Sequence, residues 1–164
     1  MKNLFLILCI TGLFTSTAWA EDTLMFLHGT WEGTGTTSGM DAEVQHMWVP
    51  ALDGRFLTLR LHNRMTLGDG TEFVFEGNGY YQAWDVAQRA GVWIDSNGEI
   101  LPLQIAVDGH FMNVVWGSSD TKLGRSTYRL LENGTLETTD FIANAEGKWK
   151  KFGHAILHKV SIDE

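Results

Sequence analysis

The sequence predicts an all-β protein: an antiparallel up-and-down meander of about ten strands closed into a barrel. Three observations carry this. Short segments rich in Val, Thr, Phe, Trp and Tyr are broken every 8 to 12 residues by turn chemistry, at Leu52-Asp53-Gly54, Gly68-Asp69-Gly70, Ser96-Asn97-Gly98, Val107-Asp108-Gly109, Glu132-Asn133-Gly134 and Asn144 to Gly147. Asp-Gly and Asn-Gly pairs supply the positive φ angles of tight hairpins, so each joins two antiparallel neighbours. Several segments alternate with period two, the pattern of a half-buried strand. Finally, Gly29-Thr30-Trp31-Glu32-Gly33-Thr34-Gly35 opens the run with glycines that weaken a strand unless its backbone bends or closely approaches another, as closure of a small sheet requires.

Taken in order, the strands are expected at 30–37, 42–49, 55–65, 71–84, 90–95, 101–107, 110–116, 124–131, 135–142 and 148–160. In the third, Leu57, Leu59 and Leu61 share one face while Thr58, Arg60, His62 and Arg64 share the other. The fourth sets Phe73, Phe75, Gly77, Gly79 and Tyr81 opposite Glu72, Val74, Glu76, Asn78 and Tyr80, and its glycines suggest a bend. Pro50 and Pro102 fall at strand ends, where a missing N–H is tolerated. The one candidate helix, Thr23 to His28, is either a short apolar plug for a barrel end or an ordinary chain terminus. Full closure is the natural way for so many antiparallel strands to avoid exposed edges.

Residues 1–20 have the form of a signal peptide: Lys2, an apolar run from Leu4 to Phe14, and Ala18-Trp19-Ala20 as the cleavage site. That run is too short to span a bilayer, and Cys9 lies inside it behind a bulky Leu8, unlike a lipid-attachment cysteine. The expected product is a periplasmic or secreted single domain, residues 21–164, without membrane insertion. It contains no cysteine, so its stability must come from its core alone. With Lys2 removed, 11 basic residues face 20 acidic ones, a net charge of −9 that argues against nucleic acid or an anionic membrane as partner.

The opening segment, Leu52-Asp53-Gly54-Arg55-Phe56-Leu57, Gly79-Tyr80-Tyr81-Gln82-Ala83-Trp84-Asp85, Gly91-Val92-Trp93-Ile94-Asp95-Ser96-Asn97-Gly98 and Gly147-Lys148-Trp149-Lys150-Lys151-Phe152-Gly153 together resemble the calycin superfamily of lipocalin-like barrels, and within it a family of small bacterial barrel proteins. The opening motif alone also resembles nitrobindin-like barrels. That second resemblance implies haem, held through a histidine near the C-terminal strand.

A ten-strand barrel is wide enough to leave a cavity for one small ligand. Trp31, Trp48, Tyr81, Trp93, Trp116 and His154 are the candidate ligand-binding residues, with Trp31 also the clearest structural plug. The competing reading is that such rings simply fill the core, each burying about 150–250 Å². His154 and His158, four apart on the last strand, share a face with Phe152 and Ile156; in the haem reading one of them, His154 by preference, is the axial ligand to a cavity. His46, His62, His110, His154 and His158 show no zinc spacing, and no metal is expected. No Gly-x-Ser-x-Gly elbow or thiol is present, and Asp85 and Asp95, beside turns, fit backbone capping better than a catalytic pair. Arg60 and Arg64 could clamp a carboxylate, but they match a solvated outer face more simply.

The expectation is thus an exported barrel, without assigned catalysis, that binds a small hydrophobic or amphipathic ligand in its interior. The alternatives are a haem protein with redox or reactive-nitrogen chemistry, and a structural or interaction barrel packed solid.

Overall fold

The computed structural model describes residues 24–83, 89–118 and 122–160; the leader expected over residues 1–20, Trp84 and Asp85 lie outside them. Ten antiparallel strands, β1 (Gly29–Thr37), β2 (Met40–Ala51), β3 (Phe56–Thr66), β4 (Glu72–Gln82), β5 (Arg89–Asp95), β6 (Ile100–Asp108), β7 (Phe111–Trp116), β8 (Gly124–Leu130), β9 (Leu136–Ala143) and β10 (Trp149–Lys159), pair each with the next. Pairing of β1 with β10 closes the barrel. All ten strands fall within two residues of their expected bounds. Three connections carried no marked turn signal in the sequence, and one of them, between β1 and β2, is made by Ser38 and Gly39, both at positive φ (53° and 81°).

Alternation divides the side chains between inside and outside, and the inside changes character along the barrel axis. At one end it is solid. Trp31, Trp48, Leu57, Leu59, Met112, Leu136 and Leu157 are essentially inaccessible there, and Trp48 packs tilted on Tyr81 (5.0 Å between ring centroids) and edge-on to Tyr128 (5.3 Å). A single 3-10 turn, Leu24–Leu27, caps this end with Leu24 and Leu27 fully buried. The Trp31 indole N–H donates to the Leu27 carbonyl at 2.7 Å, tying plug to wall. Phe26 of the same turn meets His110, in the β6–β7 turn, at 5.8 Å.

The glycines of β1 mark the closing seam. A Cβ at Gly33 would stand 2.0 Å from the Ile156 carbonyl oxygen, and one at Gly35 would stand 2.0 Å from that of His154. Backbone on backbone leaves nothing flexible to yield. Gly33→Ala is therefore expected to force β1 from β10 and cost at least about 1–3 kcal/mol, the range for overpacked sites. A thermal melt unchanged from the native protein would show that the seam has slack.

Candidate functional site

Toward the other end the interior is no longer filled, and a cavity of about 1150 Å³ opens among the β1–β2, β3–β4, β5–β6, β7–β8 and β9–β10 connections. Its walls include Met65, Phe75, Trp93, Leu101, Leu103, Val114, Trp116 and Ile142. Asp95, Glu99, Lys122, Lys150 and Lys151 stand at the mouth.

Glycines let the two wall tryptophans lie flat. A Cβ at Gly77 would fall 1.9 Å from the Trp93 ring and one at Gly124 would fall 2.0 Å from that of Trp116, so each indole occupies the space a side chain would need. Each ring N–H is also fixed. Trp93 donates to Asp95 Oδ2 at 3.1 Å, while Asp95 Oδ1 accepts the backbone N–H groups of Asn97 and Glu99. Asp95 is thus a turn cap and an indole anchor. Trp116 donates to Ser126 Oγ at 3.1 Å, and Ser126 in turn donates to Asp140 Oδ1 at 2.6 Å.

Between the cavity and the solid end lies a polar floor. Tyr81 and Tyr128 stand in this floor, and burial pushes both phenols above their ordinary value. Burial also raises the Asp140 carboxyl, with the Ser126 hydrogen bond opposing it. On the other side of the floor, β2 and β3 contribute His46 and Asn63, respectively 3% and 9% exposed, and His46 Nδ1 and Asn63 Oδ1 have no hydrogen-bond partner. Burial alone lowers the His46 pKa to about 3, so the imidazole is neutral. A niche of about 20 Å³ lies among His46, Asn63, Tyr128, Thr138 and Asp140. An unpartnered buried polar atom costs about 1–3 kcal/mol, and here two of them border one niche.

Of the residues singled out from sequence, Tyr81, Trp93 and Trp116 line the cavity, whereas Trp31 and Trp48 lie in the solid end. His154 and His158 require a correction. The inward parity of β10 belongs to Gly153, Ala155 and Leu157, so both histidines occupy outward positions, and His154 Nε2 meets Glu137 Oε1 of β9 at 3.2 Å. Small residues face inward here because Ala155 lies against Gly35 across the closing seam. An axial haem ligand must face the interior, so neither histidine fits the haem arrangement that the resemblance implied. Partly exposed pairs such as His154–Glu137 contribute at most about 1 kcal/mol, and His154→Ala is expected to leave stability within that margin on urea titration and ligand binding unchanged.

The other histidines are dispersed as well. His62 pairs with Glu76 at 3.2 Å and Arg64 pairs with Glu43, all on the outer surface, so the basic face of β3 is a solvated one. Among the described residues no three His, Cys, Asp or Glu side chains come together as metal ligands.

Sequence reading missed His46, Asn63, Ser126, Thr138 and Asp140 as parts of a site. A signal was present: His46 lies between Val44 and Trp48, and Asn63 between Leu61 and Met65, at the two-residue spacing that shares a strand face.

The sequence matches no protein-family model and no curated protein. Among solved structures, the barrel is similar to the crystal structure of Rv2717c from M. tuberculosis, with a TM-score of 0.61 and 16% identity over 84% of this chain and 95% of that one. At that identity the likeness is one of fold.

Proposed function

We propose that this barrel is an exported binding protein that takes one small hydrophobic or amphipathic ligand into its interior. The observation that carries the reading is the cavity of about 1150 Å³, apolar along its walls and polar at its floor. Pockets for small molecules have this build, a largely apolar lining with a few placed polar groups. Its volume also disfavours the alternative of a barrel packed solid. The export half of the proposal rests on the leader pattern of residues 1–20.

Trp93 and Trp116 supply the test, because they line the cavity while Trp31 and Trp48 do not. Titration of delipidated protein with aliphatic and aromatic probes is expected to give saturable quenching. In the Trp93→Phe, Trp116→Phe double variant the amplitude should fall while binding followed by the probe's own signal persists. Absence of saturable binding by any probe would overturn the reading. Added haem is expected to give no Soret band that depends on His154 or His158.

A further inference from the structure

Two buried side chains that line one small niche of the barrel floor each carry a polar atom without a partner, and the rest of the floor indicates what would satisfy them. His46 Nδ1 and Asn63 Oδ1 are unpaired, and Thr138, Tyr128 and Asp140 close the niche of about 20 Å³ from the opposite strands. A void holds one water-sized group when it exceeds about 10–15 Å³ and offers two to four polar partners. This one therefore admits a single oxygen or nitrogen, with no room for a carboxylate or phosphate. It adjoins the main cavity, for Asn63, Leu61, Tyr128 and Asp140 border both spaces.

Charge narrows the choice further. No Lys or Arg borders the niche, and the ring nitrogen of His154, which also lines it, is engaged with Glu137, so an anionic head would be buried without a counter-ion. A cation would meet an opposite charge only at Asp140, where burial works against ionisation and the carboxyl already accepts from the Ser126 hydroxyl. A hydroxyl suits the site on both counts. It donates one hydrogen bond and accepts others, whereas the floor offers unpaired acceptors at Asn63 Oδ1 and, in one tautomer, His46 Nδ1, with donors in the Thr138 and Tyr128 hydroxyls.

From this we infer that the His46–Asn63–Thr138–Tyr128–Asp140 niche is a head-group subsite that selects ligands ending in a neutral hydroxyl, an aliphatic alcohol or a phenol, with the apolar body lying against Trp93 and Trp116. The inference rests on the cavity-binding reading above and specifies its ligand class. Discrimination of this kind is strong because a ligand lacking the hydroxyl leaves the buried partners unsatisfied.

The test compares three probes of one skeleton, 1-naphthol, naphthalene and 1-naphthoate, by competition at pH 7.5. Naphthol is expected to bind at least about tenfold tighter than either of the others, the factor that corresponds to one net hydrogen bond. His46→Leu and Asn63→Leu should each reduce naphthol to the affinity of naphthalene while leaving naphthalene itself within about twofold. If either leucine variant fails to fold, Asn63→Ser and Tyr128→Phe, which keep shape or polarity, are expected to reduce the preference in part. Equal binding of all three probes would overturn the subsite while leaving the cavity reading intact, and no binding of any would overturn both. A crystal structure of the naphthol complex with an ordered water still held in the niche would also overturn the subsite.

Discussion

Trp31→Ala is expected to destabilise the barrel by about 3–5 kcal/mol, the range for removing a fully buried large aromatic. The indole fills the solid end, 2% exposed, and its N–H holds the Leu27 carbonyl at 2.7 Å, so truncation both opens a cavity and frees the capping turn. Trp31→Phe separates the two contributions. It keeps a ring and loses the hydrogen bond, and should cost about 1–2 kcal/mol. Urea denaturation of the three proteins measures both differences, and limited proteolysis ahead of Gly29 should accelerate in the alanine variant. A midpoint for Trp31→Ala within 1 kcal/mol of the native protein would show that the plug is dispensable and that the floor alone closes the barrel.

Acid is expected to act on the fold through His46. Burial holds its folded pKa at about 3 against an ordinary 6.5. Below pH 6.5 the unfolded chain takes up a proton that the folded chain refuses, so stability is lost as pH falls from 6.5 toward 3, by at most about 1.4 kcal/mol per pH unit. The ionisable residues that line the niche with His46 are Tyr128, neutral throughout this range, Asp140, and His154, whose ring nitrogen meets Glu137. Asp140 acts in the opposite sense. Its carboxyl is raised above the ordinary 3.8 by burial, so its contribution is complete below pH 3.8 and is lost as pH rises through its folded value. The two slopes oppose each other above pH 3.8, so the His46 contribution is read from the difference between the native protein and a variant without the imidazole.

His46→Leu should remove that slope. It also removes an unpartnered nitrogen, so at pH 7 the variant is expected to be as stable as the native barrel or up to about 1–3 kcal/mol more so. Urea midpoints at pH 7, 6 and 5 decide the matter. Midpoints that shift equally in both proteins would assign the acid sensitivity to other groups. The combination expected here, a substitution that stabilises the empty barrel and weakens hydroxyl recognition, is the trade-off of a site whose polar groups wait for a ligand.

The strand plan was legible because its signals are local. Asn133-Gly134 and Asp69-Gly70 demand a turn wherever they occur, and Leu57, Leu59 and Leu61 declare their face by their own alternation. The site was less legible because it depends on which face of each strand turns inward. On β10 both faces carry apolar residues, Phe152 and Ile156 on one and Ala155 and Leu157 on the other. The choice between them is made with β1, whose inward Gly33 and Gly35 stand opposite Leu157 and Ala155 across the closing seam. Similarly, Asp140 enters the floor beside Gly153, where β10 shifts register against β9 and a side chain would meet the carboxyl at 2.8 Å. Such facts belong to pairs of strands and are invisible in either one.

The seam between β1 and β10 also governs how the molecule can be made. Trp31 is the partner of Lys159, so the first strand waits for the last before its outer edge is satisfied, with the whole barrel intervening. Neighbouring hairpins can zip as the chain lengthens, but this joint carries the largest loop-closure entropy and should form late. Until then both rims of the sheet offer unpaired N–H and C=O groups to any other chain. A protein truncated before Trp149 would remain permanently in that state, a curved open sheet with two adhesive edges, and aggregation rather than loss of ligand affinity would be its first symptom.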